Sequence, residues 1–491
     1  MSARAIVICL DGADGRMLDH YSVDGSLPNL AALRRGGGAR SLSAPLGSTD
    51  DALWASFQYM LPVAEHGRYH YETPQQGNRL GMTHEREQLP AFWDELSSSG
   101  LKVAVLDVPK CRAPAPLNGI QIVDWLTHGE YFSSPRSFPA PLIGELVQRF
   151  GARPTHECGY FELEIDNQEP EDIVAKMMTE VSMKRAAGLH YLDSKAWDLF
   201  CIGFSQLHCI NHKFWNFDEL PAFEELRTHH RPIFEILNAI DAAIGALVSA
   251  AGPAAECIVV APTDFERNGS LEHLMPEVIA RINAALFGKL GAQQSLKWPW
   301  NLRLRNKLIG HDPTTWPCTM LPYNENFLAL RISARGERAR FRSAASALPD
   351  EDLIDAVESE FLGLRDDADG TTLEFATSRP SHASGRCAHN LPDLLIQYPS
   401  GQFPNAVRSP GIGRVEMQSP PWRKGNHRDG GFVFASGPLS KELISSVQLI
   451  SEIGTLVQRV LTSPRQSIGH GLPQSAAAGK GGSLPTSRGS C

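Results

Sequence analysis

The chain alternates short apolar runs with longer stretches in which apolar residues recur at helical spacing. The first run, Arg4-Ala5-Ile6-Val7-Ile8-Cys9-Leu10, stops abruptly at Asp11-Gly12. A run without apolar–polar alternation reads as a strand buried on both faces, the signature of a parallel sheet. Runs of this kind predict strands at 4–10, 102–107, 120–124, 198–204, 257–262, 327–332, 393–398 and 431–436. Helical periodicity predicts helices at 28–35, 51–60, 89–99, 140–149, 170–194, 220–250, 270–287, 350–363 and 439–462. The first of these is introduced by Ser26-Leu27-Pro28 and closed by Gly36-Gly37-Gly38, the expected order of start and stop signals. Strand–helix alternation on this scale predicts an α/β fold, with a mostly parallel central sheet flanked by helices.

Two segments break the pattern. Residues 288–322 carry Trp298-Pro299-Trp300, several Arg and Lys residues and His311-Asp312-Pro313, and read as an insertion over the sheet. From 464 onward the chain is rich in Gly, Ser, Ala and Pro. Such a tail buries too little apolar surface to offset its ordering entropy, so it is expected to be disordered. The organisation expected is one domain over 1–463, with inserted segments, and a tail over 464–491.

Composition narrows the classes. A chain of 491 residues that is 42% hydrophobic can supply a sizeable core. A formal charge of −9 argues against a protein that coats nucleic acid. No apolar run approaches the roughly 18–20 residues needed to span a bilayer. A first strand starting at residue 4 leaves no room for a secretory signal. The nine cysteines form no CxxC pair, and Cys9, Cys201 and Cys257 sit inside apolar runs. Reduced thiols and a cytoplasmic location are therefore expected.

Candidate chemistry lies where the strands end, because open parallel sheets bind ligands past the carboxyl ends of their strands. Asp11 ends the first run, and Asp264 follows the run that starts at Cys257. Gly47-Ser48-Thr49-Asp50-Asp51 sets a hydroxyl beside two carboxylates at a helix start. Those residue types are favoured N-caps, and a helix N-terminus also stabilises a bound anion. His208 and His212 follow the strand at 198–204. Four apart on a helix, they share a face and can share a metal, although packed or surface histidines show the same spacing. His427 lies in a polar loop before the strand at 431–436. A mixture of carboxylates and imidazoles favours zinc, or another divalent transition metal, over calcium or magnesium.

The order of these segments resembles the alkaline-phosphatase superfamily, in its type I phosphodiesterase and nucleotide pyrophosphatase branch. The resemblance is carried by Asp11-Gly12, by Leu27-Pro28-Asn29-Leu30, and by Thr49 through Trp54 to Pro62-Val63-Ala64-Glu65-His66-Gly67. Phe204-Ser205-Gln206-Leu207-His208 with His212, the stretch 330–337, Leu391-Pro392-Asp393 and His427 with Gly437-Pro438 continue it. It implies a metal-dependent hydrolase of phosphoesters, diesters in particular, acting on a small phosphorylated substrate. It also implies two divalent ions, zinc by the donor set. One ion would be held by His208, His212 and His427. The other would be held by Asp11, Asp264 and the hydroxyl of Thr49, which attacks phosphorus to form a phosphoenzyme.

The sequence departs from the family pattern at several points. Phe265 stands where the family has His, and His273 is the nearby substitute. His208 replaces an Asp. A gap-free count back from His66-Gly67 places Asp50 in the nucleophile column, and one inserted residue restores Thr49. Two other readings stay open: a non-catalytic relative that binds phosphate or metal, and a transferase that passes a phosphoryl-linked group to an acceptor other than water.

Overall fold

Strands form where the apolar runs lie. In chain order they include β1 (Ala3–Leu10), β2 (Gly37–Ser41), β3 (Val103–Leu106), β4 (Gly119–Val123), β5 (Arg136–Phe138), β6 (Trp197–Phe204) and β7 (Glu256–Ala261). These are followed by β8 (Asp264–Arg267), β9 (Cys318–Leu321), β10 (Phe327–Ile332), β11 (Ala376–Ser378), β12 (Leu394–Gln397), β13 (Gly425–Arg428) and β14 (Phe432–Ser436). The helices used below are α1 (Gly15–Val23), α2 (Pro28–Gly36), α3 (Asp50–Tyr59), α4 (Pro170–Ser194), α5 (Gln206–Phe214), α6 (Arg231–Ala251), α7 (Met275–Phe287), α8 (Glu351–Leu362) and α9 (Glu452–Thr462). The structure is a computed structural model that describes residues 3–70, 72–74, 80–82, 89–127, 134–154, 169–287, 317–323, 326–332, 351–418 and 423–463. The expected insertion over 288–322, apart from its last residues, and the expected tail over 464–491 lie outside them.

The central sheet has the order β2-β14-β7-β1-β6-β3-β4-β5. Its middle, β7-β1-β6-β3-β4, is parallel throughout. The antiparallel strands β14, β2 and β5 stand at the two sides. Successive residues of β1 feed two different cores. Ile6, Ile8 and Leu10 join a cluster with α1, α2, α4, α5 and α6. Ala5, Val7 and Cys9 join a cluster with Trp54 and Phe57 of α3 and Ile453 and Leu456 of α9. Covering both faces is what makes these strands uniformly apolar.

The runs at 327–332 and 393–398 belong elsewhere. They form β10 and β12 of a separate antiparallel sheet, β9-β10-β12-β11, which packs with α7 and α8 into its own core. A strand buried on both faces looks the same in either sheet. The helix predicted over 220–250 is two helices, Phe223–His229 and α6, parted at His230 with Pro232 opening the second. The helix predicted over 439–462 is likewise interrupted, into Pro438–Leu443, a 3-10 turn and α9. The segment holding His427, read as a polar loop, is the strand β13.

The structure bears on two compositional expectations. By length and composition α6 is apolar enough to cross a membrane, with a mean hydropathy of 1.7. Its apolar residues Ile236, Ile240, Ile244 and Leu247 are nonetheless buried in the core, which accounts for that composition. Its buried Asp241 accepts hydrogen bonds from the backbone N–H groups of Asn29 (3.1 Å) and Leu30 (2.9 Å) at the start of α2. The Pro-Asn-Leu motif is thus a docking point for α6. Cys209, on α5, is disulfide-bonded, whereas reduced thiols were expected throughout.

Buried charges link α4 to the sheet. Lys184 Nζ lies 2.9 Å from Asp107 Oδ2 and donates to the Gly203 carbonyl at 2.8 Å. One turn earlier, Glu180 accepts a hydrogen bond from Gln206 Nε2 at 2.9 Å. Burial pushes the Glu180 carboxyl up to about 7, against the lowering effect of Arg153 and Gln206. A carboxyl raised only in the folded state contributes stability below its unfolded range and loses it as pH rises towards 7. Glu180→Gln is expected to remove that contribution. Melting temperatures of the variant at pH 4.5 and 7 should differ less than those of the wild type, and an unchanged difference would exclude Glu180 as the titrating group.

Candidate metal centre

The site begins where β1 and β6 end side by side. The Asp11 N–H donates to the Phe204 carbonyl at 2.8 Å, so the parallel pairing runs one residue past β1. The chain then turns at Gly12, whose φ is +65°. A Cβ at Gly12 would lie 2.3 Å from His208 Cα, so only glycine lets α5 approach this closely. Asn211 Nδ2 fixes the approach by donating to the Gly12 carbonyl at 2.8 Å. The result places His208 against the carboxylate of Asp11, with His212 one turn further along α5.

His427 arrives from the other side. It lies on β13, which pairs antiparallel with β8 and sets His427 opposite Phe265. The ring centroids of His208, His212 and His427 stand 4.7, 4.8 and 4.9 Å apart, and all three residues are buried. Each ring has an oxygen beside its Nδ1: Asp11 Oδ2 at 3.0 Å for His208, the Gly425 carbonyl at 2.8 Å for His212, and Thr263 Oγ1 at 3.3 Å for His427. Carboxylate and carbonyl oxygens only accept, so Asp11 and Gly425 favour the tautomers of His208 and His212 in which Nε2 carries the lone pair.

The Nε2 atoms are turned to one another. Those of His208 and His427 are 3.4 Å apart, and that of His212 is buried without a hydrogen-bond partner among the described residues. Burial, with the neighbouring imidazoles, holds His212 well below the usual histidine range and lowers His427 to about 4. Two nitrogens bound tetrahedrally to zinc at about 2.0–2.1 Å are about 3.3–3.4 Å apart. Three imidazoles in this arrangement fit one divalent transition-metal ion.

Two carboxylates and an imidazole form a second group of candidate donors, Asp11, Asp50 and His208. Asp11 Oδ1 accepts from Trp54 Nε1 at 2.7 Å. Burial raises the Asp11 carboxyl, but His208 and Lys110 outweigh it and leave it lowered. Asp50 opens α3, and its Oδ2 lies 3.3 Å from Lys110 Nζ, 3.8 Å from His427 Nε2 and 4.0 Å from His208 Nδ1. Burial lowers Lys110, and Asp50, Asp51 and Asp11 together raise it by more, so it stays an ammonium. Thr49 occupies the N-cap position of α3 without capping it. Its Oγ1 is buried and has no hydrogen-bond partner among the described residues.

Asp264 belongs to neither group. It starts β8 close by, but its Oδ1 accepts the Gly15 N–H at 2.9 Å and its Oδ2 faces Arg16 Nε at 3.7 Å. Burial and nearby Asp14 push it up to about 7. Phe265, next along β8, packs its ring 4.6 Å from His427 and 5.1 Å from His212. His273 is also in neither group. The structure therefore brings together Asp11, Asp50, His208, His212 and His427, and directs Asp264 to the start of α1.

Sequence reasoning passed over Lys110, Trp54 and Thr263. Lys110 carried a usable signal, since it lies just past the carboxyl end of β3, as Asp11 does for β1. Trp54 showed only as part of the motif that begins at Thr49, and Thr263 carried no signal, because their contacts arise from the packing.

No protein-family model matches the chain, and no curated protein matches its sequence. Among solved structures it is similar to phosphonoacetate hydrolase from Sinorhizobium meliloti 1021 in complex with phosphonoformate, with 12% identity, a TM-score of 0.52, and 93% of this chain and 96% of that chain covered. The same enzyme in complex with phosphonoacetate gives 12% identity, a TM-score of 0.50 and coverages of 93% and 96%. Murine ectonucleotide pyrophosphatase/phosphodiesterase 5 is also similar, with 11% identity, a TM-score of 0.48 and coverages of 93% and 95%. The likeness to phosphonoacetate hydrolase establishes the fold, an alkaline-phosphatase-like α/β architecture with a mostly parallel central sheet.

Proposed function

We propose that this chain is a metal-dependent hydrolase of phosphoesters, with a small phosphodiester as substrate and a zinc ion held by His208, His212 and His427. The observation that carries this reading is the inward convergence of three buried Nε2 atoms whose Nδ1 atoms all face oxygen partners. The shared fold supports it, since the similar solved structure is a hydrolase bound to a phosphonate. A bound ion would polarise a phosphoryl oxygen and offset its charge.

The remaining roles fall to the chain. Asp11, steadied by Trp54, fixes the orientation of His208. The backbone N–H groups at the start of α3 favour an anionic phosphoryl group. Thr49 is the nucleophile in this reading, because its hydroxyl is buried beside that helix end with no hydrogen-bond partner among the described residues. Asp50 is ion-paired with Lys110 and holds charge near the imidazoles.

A non-catalytic, anion- or metal-binding relative is the second reading. It is favoured by Phe265 packing against His212 and His427. Turnover of an aryl phosphodiester and an aryl phosphomonoester, measured with zinc present, separates the two. Thr49→Ala is expected to abolish turnover at a stability cost of about 1 kcal/mol or less. Asp50→Asn is expected to keep measurable turnover. The reverse pattern would move the nucleophile to Asp50. A wild type inert on both substrates would favour the binding protein. Product analysis with added alcohol acceptors distinguishes hydrolysis from transfer.

A further inference from the structure

We infer that this site takes one divalent ion rather than two, with the ammonium group of Lys110 standing in for the second positive charge. The inference rests on the metal-dependent reading above and departs from the two-ion site that the sequence resemblance implies.

Of the donors that the resemblance assigns to a second ion, Asp264 and the imidazole at position 265 are lost, which leaves Asp11, with Asp50 beside it, as the carboxylates on offer. Asp11 accepts from Trp54 Nε1 with one oxygen and lies 3.0 Å from His208 Nδ1 with the other. Asp264 accepts the Gly15 N–H at 2.9 Å and faces Arg16. Phe265 presents an apolar ring where the resemblance calls for an imidazole. Zinc sites need about four such donors or waters, and a phenyl ring supplies none.

Lys110 is placed with care. Its φ of +52° is a left-handed conformation that lysine rarely adopts. The surrounding side chains over-determine it: the Lys110 carbonyl accepts from Arg68 Nη1 at 3.0 Å and from Gln58 Nε2 at 3.1 Å. Strained backbone held in this way is a mark of a functional position. The held conformation delivers Nζ to 3.3 Å from Asp50 Oδ2, with the side chain 9% exposed. Arg68 meanwhile pairs with Asp51 at 3.3 Å. Two cations thus already answer the two carboxylates that open α3. A divalent ion on Asp50 would sit within a few ångströms of the ammonium, and like charges that close in a dry site repel strongly.

The test is zinc stoichiometry of the metal-free protein, read by native mass spectrometry and calorimetric titration. The expected result is one equivalent for wild type, one for Lys110→Arg, and none for His212→Ala. Lys110→Ala leaves Asp11 and Asp50 without their countercharge and is expected to take a second equivalent. The Asp11→Asn/Lys110→Ala double variant should not, which separates that equivalent from adventitious surface binding. Circular dichroism of each variant confirms folding. Two equivalents in the wild type would overturn the inference and leave the hydrolase reading standing. No second equivalent in folded Lys110→Ala would show that the ammonium is not what replaces the ion. No zinc in the wild type would overturn both.

Discussion

His427→Ala is expected to empty the metal centre. Zinc in protein prepared without chelator should fall to near zero per chain, and turnover of an aryl phosphodiester should fall at least about a thousandfold. The size follows from the role: a Lewis acid supplies several kcal/mol of transition-state stabilisation, and each 1.36 kcal/mol is about tenfold in rate. The ligand set offers little redundancy. Removing His427 leaves His208 and His212 on one side of the site, and the two are held by Asp11 and by the Gly425 carbonyl rather than free to regroup. Thermal melting gives a readout independent of activity. An ion that binds only the folded wild type stabilises it by about 2.7 kcal/mol at a hundredfold excess over its dissociation constant. Added zinc should therefore raise the wild-type melting temperature and leave that of His427→Ala in place. Equal zinc content in the two proteins would reduce His427 to a packing residue of β13.

Gly12→Ala is expected to cost about 3 kcal/mol or more in urea unfolding and to lower zinc binding with it. A left-handed conformation alone costs an alanine about 1–2 kcal/mol. The larger part is steric. The new Cβ would stand 2.3 Å from His208 Cα, 2.6 Å from its Cβ and 2.7 Å from its backbone nitrogen, none of which is the far end of a flexible chain. Relief requires α5 to retreat from β1, which stretches the Asn211 bond to the Gly12 carbonyl and draws His208 from Asp11. A variant within about 0.5 kcal/mol of wild type, retaining its zinc, would show that α5 can retreat without penalty.

The sequence was most legible where one physical demand dominated a segment. Uniform burial made β1, β6 and β7 readable, and the carboxyl-end rule then pointed to Asp11 and to the histidines after β6. Legibility failed where a residue's role depends on a distant partner. β13 is polar and belongs to a small two-stranded sheet, and its partner β8 lies some 160 residues earlier, so nothing local marks it as a strand. Asp264 ends an apolar run as Asp11 does, yet the packing of α1 delivers Gly15 and Arg16 to its oxygens. The helix α1 was not foreseen, since it is short and Asp14, which caps it through the Met17 N–H, reads in sequence like any turn residue. Asp241 in α6 could be seen as an acid in an apolar stretch of helix, but not as the partner of the backbone at the start of α2.

The place of β14 in the sheet has a consequence for synthesis. It lies between β7 and β2, and it hydrogen-bonds to both. During translation β7 therefore waits, one edge open, while some 170 further residues are made, and β2 waits for nearly 400. An open edge of apolar strand invites pairing with another chain. The imidazole triangle waits as well, because His427 precedes the closing strand by only a few residues. A nascent chain of this protein thus keeps an unfinished sheet and an incomplete imidazole triangle until β14 is made, and its demand for chaperones should fall sharply once residue 436 emerges.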